Sequence, residues 1–196
     1  MKLFEKITFA LSLIGILLKL LLIRTGNPVL IISASLLSCI YFYFGFALIN
    51  GVGFRAMFKK ASYAPISGIR IVAGIGVGLF LSIVVIGSLF KLQIWMGSIE
   101  MITIGSTGLF VIFLAAGVVF LVKRKSLDAF YRGIFLRGAI AIIFAFIIFA
   151  IPSRSLIRIY HRDNPAYGEL MIKALENPQD KEIQDEFDKA LERENR

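Results

Sequence analysis

The chain has 196 residues, 58% of them hydrophobic, with a mean hydropathy of +0.81 and a formal net charge of +9. Soluble domains are nearer half apolar and interrupt their apolar runs with charge, so this balance excludes a helical protein dissolved in water. A single cysteine, Cys39, excludes an intramolecular disulfide and a CxxC metal site.

Five apolar segments predict five helices, over residues 7–23, 29–49, 70–90, 99–122 and 134–152. Each is close to the roughly 20 residues that a helix needs to cross about 30 Å of hydrocarbon. The expected fold is therefore all-α: an integral membrane domain over 1–152 with five transmembrane helices, then a polar helical tail over 153–196. Lys2 and Lys6 before the first segment resemble the start of a signal peptide, but Arg24-Thr25-Gly26-Asn27-Pro28 offers no small-x-small cleavage site. The first segment is read as an uncleaved span. Cys39 falls in the middle of the second and is read as a small buried hydrophobe.

Charge is placed unevenly. Residues 1–152 carry +11 and residues 153–196 carry −2. No RNA- or DNA-binding motif accompanies the excess, so nucleic acid is not expected as a partner, and the cations are read as juxtamembrane. The N-terminus and the loops near 50–70 and 123–133 share one side and hold most of them. The positive-inside rule puts that side, with the N-terminus, in the cytoplasm and the tail in the periplasm of a bacterial inner membrane. Arg154, Arg158 and Arg162, just past the last span, vote the other way. Within the two basic loops, Phe54, Met57 and Phe58 interleave with Arg55, Lys59 and Lys60, and Leu127, Phe130 and Tyr131 with Lys123, Arg124 and Lys125. Such segments are expected to lie at the interface, with the cations on anionic lipid headgroups.

The chain repeats itself. Residues 14–20 read IGILLKL and residues 86–92 read IGSLFKL, so Gly15 and Lys19 map onto Gly87 and Lys91 at an offset of 72. Two spans separate the copies, which predicts a parallel duplication of a helical hairpin, about 7–49 and 70–122. Lipid gives helices no hydrophobic reason to associate, so packing is assigned to small residues: Gly74 and Gly78 in the third segment, Gly105 and Gly108 in the fourth.

Lys19 and Lys91 are the candidate functional residues, because a lysine within a span is costly. Two readings stand side by side. Both lie near helix ends, where the stem can snorkel to the interface. Alternatively they face the bundle and, with Glu100, form an intramembrane charge pair or relay. No acid lies deep in a span and His161 is the sole histidine, so no catalytic constellation, metal site or cofactor is expected. In the tail, Asn164-Pro165 and Asn177-Pro178 predict two helix starts. The second helix carries Ile183, Phe187, Ala190 and Leu191 on one stripe, suited to the first tail helix or to a protein partner.

Residues 86–113, IGSLFKLQIWMGSIEMITIGSTGLFVIF, resemble the membrane hairpin of GldL, the two-helix inner-membrane subunit of the gliding-motility and type 9 secretion motor. The likeness rests on Gly87, Leu89-Phe90-Lys91, Trp95, Gly97, Thr103-Ile104-Gly105 and Ile112-Phe113. It implies a GldL-like hairpin in a bacterial inner membrane. In that family a lysine and a glutamate are implicated in using the proton gradient; Lys91 falls at the first position and Leu109, which carries no proton, at the second. The sequence therefore favours a non-catalytic assembly or scaffold subunit of an envelope complex. The rival is a small transporter or channel working through Lys19 and Lys91.

Overall fold

In lipid each backbone N–H and C=O must be satisfied within its own segment, which turns long apolar runs into helices. The computed structural model describes residues 2–53, 55–64, 66–123 and 126–194, apart from the side chains of Lys2, Lys60 and Glu194. Its helices are α1 (Lys2–Leu20), α2 (Gly26–Ile49), α3 (Gly68–Gln93), α4 (Ser98–Val122), α5 (Ala129–Ala150), α6 (Ser153–Tyr160), α7 (Pro165–Glu176) and α8 (Lys181–Glu194), with a short 3-10 turn at Lys60–Tyr63. The chain divides into two compact units, Met1–Ala150 and Ile151–Arg196.

In the first unit α2 lies between α1 and α3, α4 packs on α3, and α5 packs on α3 and α4 and more lightly on α2. Among the described residues four helices, α2 to α5, are long and apolar enough to cross a membrane. The fifth segment expected to do so, α1, is 19 residues long and differs from them by carrying Glu5, Lys6 and Lys19. It starts earlier than the apolar run predicts because its first turns are amphipathic: Glu5, Thr8 and Ser12 are buried on one face while Leu3, Phe4, Ile7 and Leu11 are exposed. The apolar outer faces are extensive. On α4 the buried residues are Ser98, Ile102, Gly105 and Leu109, a single stripe, and Phe110, Val111, Leu114, Val118 and Leu121 stand open. A contiguous apolar surface of this kind is a liability in water and ordinary in hydrocarbon.

Helix ends have local causes. Asp128 starts α5 five residues before the apolar run: its Oδ1 accepts from the backbone N–H groups of Phe130 (3.1 Å) and Tyr131 (3.2 Å). That is an N-cap, which satisfies donors otherwise orphaned at a helix start. Pro152 disfavours helix at the residue before it, and α5 stops at Ala150. α1 and α3 end alike. Leu22 and Ile94 take positive φ angles of 58° and 59°. Around them Leu22 N–H donates to Lys19 O (3.0 Å) and Ile23 N–H to Leu18 O (2.9 Å), while Ile94 N–H donates to Lys91 O (3.2 Å) and Trp95 N–H to Phe90 O (2.8 Å). Every residue of the first set maps onto one of the second at the 72-residue offset. The helix crossings match too. A Cβ on Gly15 would stand 2.7 Å from Leu30 Cα and one on Gly87 2.9 Å from Ile102 N, and Leu30 and Ile102 are again 72 apart.

In the second unit α6 packs on α7 and α7 on α8. Asn164 caps α7 as its sequence predicts, accepting from Tyr167 N–H at 3.3 Å. The expected start at Asn177-Pro178 is not used. Asn177 instead closes α7, with its Nδ2 donating to Lys173 O (2.9 Å). Asp180 caps α8 through Glu182 N–H (3.1 Å) and Ile183 N–H (3.3 Å), a carboxylate being as good an N-cap as an amide. The rings of Tyr167 and Phe187 meet at 5.7 Å, and Gln184 Nε2 donates to Ala174 O (2.8 Å), so the apolar stripe of α8 lies on α7.

Candidate functional site

The charged side chains of the first unit gather at two ends of the bundle. At the end where α1 begins, Glu5 is buried, 8% exposed. Its carboxylate accepts from Arg137 Nε (2.6 Å) and Nη2 (2.7 Å), a bidentate pair, and from the hydroxyl of buried Tyr41 (3.1 Å). Three helices, α1, α2 and α5, are thereby tied by one charged group. Beside it Arg70 at the start of α3 pairs with Asp128 at 2.8 Å and lies over the rings of Phe130 and Tyr131, 5.0 and 5.7 Å from their centroids. Asp128 thus caps α5 and fastens it to α3.

At the other end Lys19 Nζ donates to Gln93 Oε1 (2.5 Å) and Asn27 Oδ1 (3.1 Å), so the expected lysine bridges the α1–α2 and α3–α4 hairpins. Lys91 is 5% exposed within α3. Glu100 is exposed on α4 and makes no ion pair or side-chain hydrogen bond among the described residues, so the structure does not join it to either lysine. The four glycines assigned to packing all sit at close approaches. A Cβ would stand 2.9 Å from Asn50 Nδ2 at Gly74, 2.5 Å from Tyr41 O at Gly78, 2.8 Å from Val84 Cγ2 at Gly105 and 2.3 Å from the Phe80 ring at Gly108. Of the expected lipid-facing cations, Arg55, Lys59 and Lys123 are exposed. Arg124, Lys125 and the side chain of Lys60 lie outside the described residues, as does Phe54. Cys39, expected to be buried, is exposed on the outer face of α2, in line with Ile32, Leu36 and Tyr43.

Between α1 and α5, floored by α2 and α3, lies a crevice of about 500 Å³. Glu5, Lys6, Arg132 and Arg137 stand at its polar mouth, and Leu30, Leu37, Leu81, Val84 and Phe144 are among its apolar walls. Ser88 Oγ is buried in that wall without a hydrogen-bond partner among the described residues. Sequence reading missed this site because Glu5 and Arg137 are 132 residues apart. The available signal was that Glu5 is one of three acids in residues 1–152 and Arg137 the one charge inside the fifth apolar segment. Among the described residues no three His, Cys, Asp or Glu side chains come together to hold a metal ion.

Long apolar helices with open apolar faces and polar groups matched in the interior define an α-helical membrane protein. No protein-family model, curated protein or solved structure matches the chain.

Proposed function

We propose that the chain is a five-span bacterial inner-membrane protein that acts through partners, as a non-catalytic assembly or scaffold subunit of an envelope complex. The observation that carries the reading is that charged groups at both ends of the bundle are partnered across helices. Glu5 is used up by Arg137 and Tyr41, Arg70 by Asp128, and Lys19 by Gln93 and Asn27. These contacts tie helices together, a registering role for buried polar groups. The polar surface of residues 153–196 is then the natural contact for another protein.

Four finer points belong to this reading. α1 is the fifth span: 19 residues at 1.5 Å each give about 28 Å, and it runs antiparallel to α2 with its ends tied to both ends of the bundle. The α1–α2 and α3–α4 hairpins are a duplication, supported by their matching turns and glycine crossings. The second hairpin is GldL-like. At its glutamate position Leu109 is 2% exposed in the α3–α4 contact, so a packing role replaces proton use. Arg55, Lys59, Lys60, Lys123, Arg124 and Lys125 face anionic headgroups on the cytoplasmic side.

Site-specific crosslinking from Leu191 in native membranes tests the proposal. A discrete neighbour, retained in Lys19→Leu/Lys91→Leu, is expected, with function lost when 153–196 is deleted; absence of any specific adduct sinks it. A second reading, a small transporter or channel, is favoured by Lys91, which is almost fully buried in α3. It predicts the reverse pattern, with the double lysine substitution inactivating and the tail dispensable.

A further inference from the structure

The crevice between α1 and α5 has the form of a site for an amphiphile. Its walls are hydrocarbon for most of their length, and its charged residues lie at the end where α1 begins. Along α1 it runs from Glu5 to Ile16, about 16 Å at 1.5 Å per residue. That is close to half of a bilayer core of about 30 Å, the depth of one leaflet. It is open at the side, where Leu13 on α1 and Leu136 and Ile140 on α5 are 43%, 57% and 45% exposed.

Depth and opening suit a lipid chain: an apolar wall about one leaflet deep, open at the side, matches a single hydrocarbon chain entering from the bilayer. Charge decides the headgroup. Arg137 is matched by Glu5 and Asp128 by Arg70, which leaves Lys6 and Arg132 as exposed cations at the mouth with no ion pair among the described residues. Cations at a membrane surface attract anionic lipid.

We propose that this crevice binds an anionic phospholipid of the surrounding bilayer, one acyl chain lying between α1 and α5 and its phosphate held by Lys6 and Arg132. The inference needs the helices to lie in a bilayer and is independent of the scaffold reading. A scaffold without this site, or a lipid-binding protein without a protein partner, would be told apart by the two experiments.

The test places a fluorescent reporter in the crevice. Phe9→Trp in a Trp95→Phe background is reconstituted in phosphatidylcholine bilayers containing either phosphatidylglycerol or phosphatidylcholine with brominated acyl chains. Quenching of the indole introduced at position 9 should reach half its maximum at a roughly tenfold lower mole fraction of the brominated phosphatidylglycerol, two cations contributing at the surface. Lys6→Gln with Arg132→Gln should erase that preference without lowering the melting temperature. A control reporter, Val111→Trp on the open face of α4, should be quenched equally by both lipids. Equal quenching at position 9, a preference that survives removal of the cations, or no quenching by either lipid would each overturn the proposal. Should the reporter variant not fold, native mass spectrometry of the natural chain decides. Retained anionic phospholipid that the double glutamine variant loses supports the site, and equal retention by both refutes it.

Discussion

At the scale of single residues, the Glu5–Arg137–Tyr41 cluster is the costliest feature to disturb. Removing one partner of a buried pair leaves the other charge uncompensated, worth about 3–5 kcal/mol, whereas replacing both with apolar groups of similar size is nearly neutral. Glu5→Gln or Arg137→Met alone should therefore lower the stability of the detergent-solubilised protein by about 3 kcal/mol, and Glu5→Leu/Arg137→Met by much less than the sum. Equilibrium unfolding in mixed detergent would measure it; additive losses would refute a coupled pair. The serines make a finer comparison. Ser38 Oγ and Ser82 Oγ lie 2.7 Å apart across α2 and α3, while Ser88 Oγ has no partner among the described residues. Ser38→Ala should cost about 0.6 kcal/mol, the usual value for an interhelical bond in a membrane, and Ser88→Ala should be neutral or slightly stabilising because no bond is lost. The composition pointed to Glu5 and Arg137 as rare charges in apolar surroundings, but nothing local says that they meet. A pair formed by long-range packing has no signature in a linear pattern.

At the scale of helices, small residues set how closely backbones approach. Gly45 on α2 and Gly78 on α3 face each other, and a Cβ on Gly45 would stand 2.4 Å from Gly78 Cα. Backbone atoms cannot swing aside as a side-chain tip can, so α2 and α3 must part. Gly78→Ala should destabilise by about 1–3 kcal/mol, the range for overpacking, whereas Gly117→Ala, with open space around it, should be neutral or mildly stabilising. A comparison of unfolding midpoints separates the two, and a neutral Gly78→Ala would mean that the crossing is looser than described. Helix existence was readable from apolar length alone, and Gly74/Gly78 were readable from spacing. Helix ends were less so. Asp128 and Asp180 act as caps through geometry fixed after folding, and α6 is too short and too arginine-rich to stand out. The inward or outward facing of Cys39 was not readable either, since an apolar segment that is greasy on every side gives no stripe to orient it.

At the scale of the whole molecule, the lysines of the expected relay were legible and their setting was not. Lys19 was visible as a charge in an apolar run, but its partner Gln93 is 74 residues away. The crevice was invisible because it belongs to four helices at once. Sidedness rests on a vote. Under the positive-inside rule, cations in the loops at 50–70 and 123–133 would put those loops inside, and Arg154, Arg158 and Arg162 would put the tail there as well. Their pairing with Glu176, Glu169 and Asp163 does not cancel the opposition, because the rule counts cations and not net charge. Both votes cannot hold if α2 to α5 are four crossings in sequence, because the chain would then leave α5 on the side of the α3–α4 turn, opposite the α2–α3 loop. Single-cysteine reporters in a Cys39→Ala background test this directly. Gly53→Cys, Met96→Cys and Leu191→Cys sample the α2–α3 loop, the α3–α4 turn and the tail. A membrane-impermeant maleimide applied to intact spheroplasts should modify positions 96 and 191 and spare position 53 until the membrane is opened. Modification of 191 together with 53 would mean that α5 turns back without crossing. Modification of 53 alone before permeabilisation would invert the whole arrangement.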